Sequence, residues 1–202
     1  MTTPEPFHRL LATQDDAAVL ARLQDRLAQQ AAEHELLDIA YRTLDTPVGT
    51  LLLATTPTGL VRIAYPNEGH DHVLTQLAQR VSPRILHAPD RLDPAARQID
   101  QYFTHHRQHF DLPPDLRLAH RFRRNVLDHL PDIAYGTTAS YATIAAAAGN
   151  PKAVRAVGTA CATNPLPVVV PCHRVIRSDG TLGGYLGGLD AKQTLLRLEA
   201  TP

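Results

Sequence analysis

Cysteine is scarce in this chain: the 202 residues hold two, Cys161 and Cys172. A disulfide-stapled secreted scaffold would show more, so free thiols in a reducing compartment fit better. Two thiols also exclude a four-cysteine zinc site. Long apolar runs are missing. The longest purely aliphatic ones, Ala17–Ala21 and Ile144–Ala148, fall far short of the roughly 20 residues a spanning helix needs, so no membrane partner is expected. Met1–Arg9 shows no basic region followed by an apolar stretch, so no secretory leader is read there, and a cytoplasmic location is expected. No internal repeat or low-complexity tract is evident. The formal net charge is zero, which hides an asymmetry. Residues 1–116 carry 10 Lys+Arg against 15 Asp+Glu, and residues 117–202 carry 10 against 5. Any polyanion is therefore expected to meet the C-terminal half.

What is present is ordinary globular material. Hydrophobic residues make up 44% and charged ones 20%, enough for one or two domains with a real core. Residues 14–37 read as a helix, with Val19, Leu20, Leu23 and Leu27 at helical spacing and Thr13-x-x-Asp16 as a capping box. Asp38–Thr43, Leu51–Thr55 and Leu60–Tyr65, separated by Thr46-Pro47-Val48-Gly49 and Pro57-Thr58-Gly59, read as a small antiparallel meander. Helices are expected over 70–80 and 94–106. His105, His106 and His109 cluster at the end of the second. A solvated helix end is favoured there over a metal site, and no metal is expected.

Asp111-Leu112-Pro113-Pro114-Asp115 is a proline-rich junction, and the charge changes sign beside it. The division read from this is an N-terminal helical extension (1–37), an α/β domain (38–115) and a C-terminal domain (116–202). In the last, His120–Leu130, Ser140–Ala148 and Pro151–Cys161 read as helices. Gly149 caps the second, and Pro151 sits at the first position of the third. The two short helices joined at Gly149-Asn150 look like a helix-turn-helix.

The chemistry gathers in Asn164-Pro-Leu-Pro-Val-Val-Val-Pro-Cys172-His173-Arg174-Val175. Three prolines in the eight residues before the cysteine predict a stiff, extended approach. A thiolate is the reactive form of cysteine, so an adjacent base or cation must activate it. His173 and Arg174 are the neighbours. Side chains at i and i+1 point apart in a strand, which would route His173 through a water or a turn. From these residues alone, an activated thiol and a buried structural cysteine beside a chance histidine both stand.

Pro171-Cys172-His173-Arg174-Val175 resembles the active-site motif of the O6-alkylguanine-DNA alkyltransferases, the methylated-DNA–protein-cysteine methyltransferases. The resemblance continues through Ser140-Tyr141, Ala148-Gly149-Asn150-Pro151-Lys152-Ala153, Arg155-Ala156-Val157-Gly158, Asn164-Pro165, Pro167, Gly184-Tyr185, Gly187-Gly188-Leu189 and Lys192 to Glu199. It is collinear over about 120–200, weaker over 38–115 and absent over 1–37. It implies an α+β fold: a small N-terminal α/β domain with an antiparallel, ribonuclease-H-like sheet, then a mostly helical, winged-helix-like DNA-binding domain.

The resemblance also implies roles. Cys172 would accept the alkyl group of O6-alkylguanine, and of O4-alkylthymine, in double-stranded DNA, once and irreversibly. His173 would take its proton through a water, Glu199 would orient His173, and Asn164 would brace the segment. Arg155 would fill the gap left by a flipped base, with small Ala156 and Gly158 letting the helix approach DNA. Tyr141 would face the flipped guanine and donate a proton or a hydrogen bond to it. Pro167, Val175, Tyr185, Leu186 and Gly187 would shape the substrate pocket. Leu186 stands where some relatives carry a small hydroxyl residue, and is expected to narrow the alkyl pocket. No cofactor or obligate protein partner is implied, and the protein is expected to be a monomer. Two other classes compete: a lesion sensor, whose known examples lack the cysteine, and a thiol hydrolase, for which no oxyanion-hole signature is evident.

Overall fold

The computed structural model describes residues 14–200, so the capping box at Thr13 lies outside the described residues. Helix α1 (Gln14–Glu33) leads into β1 (Ile39–Leu44), β2 (Leu51–Thr56) and β3 (Gly59–Ala64). Helix α2 (His70–Arg80), β4 (Ile85–His87) and α3 (Asp93–Phe103) complete the N-terminal part. The sheet order is β3-β2-β1-β4. The expected antiparallel meander is there, but β4 joins the edge parallel to β1, pairing Ile39 with Ile85. The sheet is therefore mixed. Central β2 is buried on both faces, with Leu51, Leu52, Leu53 and Ala54 inaccessible to solvent, which is why it shows a continuous apolar run rather than alternation. Leu52 and Ala54 pack toward Val73 and Leu77 of α2. Leu51 and Leu53 join the larger core shared with Ile99 of α3 and the C-terminal part.

Helix α3 stops three residues before the expected His106. His105 adopts φ +60° and His106 N–H bonds Gln101 O at 2.7 Å, a left-handed cap closed by a non-glycine residue. The neighbouring histidines hold no metal-ligating group among the described residues.

The C-terminal part contains α4 (Phe122–His129), β5 (Ala139–Ser140), α5 (Tyr141–Ala147), α6 (Val154–Ala162), β6 (Val175–Ile176) and α7 (Gly188–Ala200). Helix α4 ends one residue early and passes into a tight 3-10 turn at Leu130–Asp132, where Pro131 cannot continue the hydrogen-bond ladder. Ser140 caps α5 by accepting from Thr143 N–H at 3.0 Å. Gly149, at φ +78°, closes α5: its N–H bonds Ala146 O, and Asn150 N–H bonds Ala145 O. Pro151 does not open α6. Ala153 N–H bonds Asn150 O at 2.9 Å, so Pro151 holds the second position of a turn, where its fixed φ is wanted, and α6 starts at Val154. Helices α4, α5 and α6 pack together. Among the described residues no helix is long and apolar enough to cross a membrane.

Candidate active site

The segment before Cys172 is compact, not extended as its prolines suggested. Val170 N–H bonds Leu166 O and Cys172 N–H bonds Val170 O, both at 2.8 Å. Val168, a β-branched residue, is held at φ +73°, a strained conformation that persists only when its surroundings enforce it. Asn164 is the enforcer. Its side-chain N–H donates to Val170 O at 2.8 Å and to Cys172 Sγ at 3.1 Å, and its Oδ1 accepts from Leu166 N–H at 3.0 Å. One buried amide thus closes the loop and points a donor at the sulfur.

Cys172, His173 and Arg174 form a 3-10 turn and are all buried. This turn, rather than a strand, is what brings consecutive Cys and His into one interior. His173 Nε2 lies 2.9 Å from Glu199 Oε1 on α7. Glu199 also accepts from Arg174 Nε and Nη2, each at 2.9 Å, from Tyr102 Oη at 2.8 Å, and from Gly136 N–H at 3.3 Å. A carboxylate facing only donors is ionised. Burial pushes its carboxyl up, and the hydrogen bonds from His173 and Arg174 more than reverse this, holding it down at about 2. An ionised acceptor fixes His173 with its proton on Nε2. Nδ1 is then a bare acceptor, buried and without a partner among the described residues. Burial also holds the His173 imidazole below its ordinary value, against the pull of Glu199, so the ring is a neutral base.

Burial pushes the Cys172 thiol up to about 11, while the Asn164 N–H and the Lys192 charge pull the other way. The resting group is a thiol that needs a local base. Lys192 is fully buried and donates to Val175 O at 2.6 Å. Val175 N–H in turn bonds Cys172 O. The carbonyls of Cys172 and Val175 are thus each engaged once, leaving each a second lone pair. Burial pushes Cys161 up as well, and no mechanism uses it.

Tyr141 opens α5, half-buried, with its hydroxyl against Gly183, where a Cβ would come within 2.2 Å. Arg155 is exposed on α6, and its guanidinium makes no hydrogen bond or ion pair among the described residues, while Ala156 and Gly158 are half-buried. A Cβ at Gly158 would meet nothing within 4 Å, so the fold itself does not demand a glycine there. Pro167 and Val175 are buried, and Tyr185 sets its ring edge-on to His173 at 6.5 Å. Leu186 is half-buried and lines a cavity of about 240 Å³ with Arg62, Glu68, Leu77, Arg80 and Arg123, and Cys172 does not line that cavity.

Several contributors were missed in the sequence because they come from the N-terminal part. Tyr102 of α3 holds Glu199. Arg62 of β3 donates to the carbonyls of Asn164 and Pro165 at 3.4 and 3.3 Å. Asn67 donates to Leu186 O at 2.9 Å. Arg174, a candidate activator of the cysteine by proximity alone, spends its guanidinium on Glu199 and on Ile133 O.

Residues 39–116 match the family described as 6-O-methylguanine DNA methyltransferase, ribonuclease-like domain, and residues 121–201 match its DNA binding domain. The methylated-DNA–protein-cysteine methyltransferase of Mycolicibacterium paratuberculosis is 42% identical over 161 residues, covering 80% of this chain and 92% of that protein. The corresponding protein of Methanosarcina barkeri is 37% identical, covering 79% and 96%. The crystal structure of Mycobacterium tuberculosis OGT in complex with DNA superimposes with a TM-score of 0.71 at 37% identity, over 80% of this chain and 93% of that one. Both halves are matched, and the relatives cover most of their own length. The chain therefore belongs to the 6-O-methylguanine DNA methyltransferase family of DNA-repair alkyltransferases.

Proposed function

We propose that Cys172 is the atom that takes the alkyl group, from O6-alkylguanine and from O4-alkylthymine in duplex DNA. The observation that carries this is the buried, unpartnered Nδ1 of His173, in a ring whose other nitrogen is committed to Glu199. A water bridging Cys172 Sγ and Nδ1 would satisfy that atom and carry the thiol proton to the ring. The thiolate then attacks the alkyl carbon. The S–C bond forms, the C–O6 bond breaks, and its electron pair leaves with the guanine oxygen. Tyr141 supplies a proton to the departing base, which lowers the charge it carries away. A thioether has no leaving group that water can displace under mild conditions, so each molecule acts once.

Intact mass spectrometry after incubation with duplex DNA carrying O6-methylguanine tests this. One added methyl per protein, mapped to the Cys172 peptide and never exceeding one per molecule, is expected. Turnover without an adduct, or an adduct on Cys161, refutes it. Tight binding without any mass change would favour a lesion sensor.

The target atom lies inside the duplex, so the nucleotide must leave the stack. Arg155 is the residue to fill the gap, supported by its exposed, unengaged guanidinium on α6 and by the small Ala156 and Gly158 beside it. Arg155→Ala is expected to slow repair of duplex DNA on the order of tenfold to a hundredfold, the scale of unstacking. Reaction with free O6-benzylguanine should change far less. Equal losses on the two substrates would remove the finger role. The division into an extension to residue 37, a domain to 115 and a catalytic domain from 116 belongs to this reading, supported by the change of charge sign. A cytoplasmic site of action does too, supported by two buried free thiols.

A further inference from the structure

Three consecutive residues of the proposed alkyl pocket are each held by one turn of the N-terminal domain. Tyr185 Oη lies 2.9 Å from Tyr65 Oη, and the rings meet edge-on at 5.7 Å. The carbonyl of Leu186 accepts from Asn67 at 2.9 Å. A Cβ at Gly187 would fall 2.6 Å from the Tyr65 ring, so the loop already sits against that ring with no slack.

The turn itself cannot retreat. Tyr65 is 1% exposed. Its N–H bonds Glu68 Oε1 at 2.9 Å, and Glu68 pairs with Arg62, which reaches back to the carbonyls of Asn164 and Pro165. Ile63 N–H adds a bond to Pro165 O at 2.8 Å. The same short stretch, 62–68, therefore grips both sides of the site: the loop that carries Asn164 and the loop 185–187.

We infer that Tyr65, with Asn67, is a specificity-determining positioning residue that sets the largest alkyl group the pocket admits. The inference rests on the reading of Cys172 as acceptor with Tyr185 and Gly187 at the pocket wall. A larger alkyl group needs the 185–187 loop to move back. Gly187 moving back meets the Tyr65 ring, and Tyr185 moving back breaks the hydroxyl pair. The limit on substrate size thus lies in the N-terminal domain, 107 residues before Cys172 in sequence.

The test compares single-turnover rates on duplexes carrying O6-methylguanine and O6-benzylguanine. Tyr65→Ala should raise the benzyl-to-methyl rate ratio about tenfold or more, the scale set by reshaping an apolar pocket. Tyr65→Phe, which keeps the ring and loses the hydroxyl pair, should raise it less. Leu52→Ala, in the core on the other side of the sheet, should lower stability without moving the ratio. A ratio in Tyr65→Ala no different from that of Leu52→Ala overturns the inference. If Tyr65→Ala does not fold, Tyr65→Phe and Asn67→Ala decide it, and a ratio unmoved in both is the overturning result. Failure of the underlying reading shows separately, as no methyl adduct on Cys172 in the unmodified protein.

Discussion

Glu199→Ala is expected to destroy alkyl transfer and to cost about 3–5 kcal/mol of stability, the range for breaking a buried ion pair. The carboxylate accepts from Tyr102, His173, Arg174 twice and Gly136. Truncation leaves the buried Arg174 guanidinium with Ile133 O as its remaining acceptor, and the orphaned charge is the larger part of the loss. Glu199→Gln separates chemistry from folding. It keeps the shape but puts an N–H₂ where donors already point, and it no longer holds the His173 proton on Nε2. The Gln variant should remain folded and transfer methyl roughly 10²–10⁴-fold more slowly, the usual contribution of a positioned base. Denaturant titration gives the first number and single-turnover mass spectrometry the second. A Gln variant at the unmodified rate would dismiss the relay.

The second large effect is acid lability. Both members of the His173–Glu199 pair have folded-state values below their ordinary ones, 6.5 and 4.5. In each case the unfolded chain takes up the proton first as pH falls, so unfolding is favoured on going down. The His173 contribution is complete above pH 6.5 and is lost as pH drops through its lower folded value. The Glu199 contribution is complete above 4.5 and is lost toward about 2. A shift of that size corresponds to about 3 kcal/mol. Unfolding free energy measured across this range should fall in two stages, and the difference between the unmodified protein and Glu199→Gln should vanish near pH 2. A difference independent of pH would contradict the assignment. Alkyl transfer should fail in the earlier stage, since a protonated His173 cannot accept a proton from Cys172.

The sequence disclosed what is local. The meander over 38–65 was readable from its turns, and Gly149-Asn150-Pro151 marked the break between α5 and α6. The Cys172 motif with Asn164 and Glu199 pointed to the proposed reacting centre through resemblance. What stayed hidden is of three kinds. Strand β4 has three residues, too few for any periodicity, between Pro83 and Pro89. Val168 at φ +73° gave no sign, because β-branched residues ordinarily avoid that region. Nothing local ties Arg62, Arg174 and Lys192 into the interior, since charged residues seldom lie buried, and only the fold brings partners to them. Nothing near Tyr65 or Tyr102 in the chain points to residues 185 or 199.

Those distant partners also dictate when the protein becomes competent. The contacts that position the centre join residues 97, 102 and 120 apart in the chain, and separations of that length form late. Until α7 docks, His173 has no Glu199, and until the N-terminal sheet is in place, Glu199 has no Tyr102. On the proposed reading, a half-folded chain carries the thiol without its base, and the relay from Cys172 to His173 is completed only by the last steps of assembly.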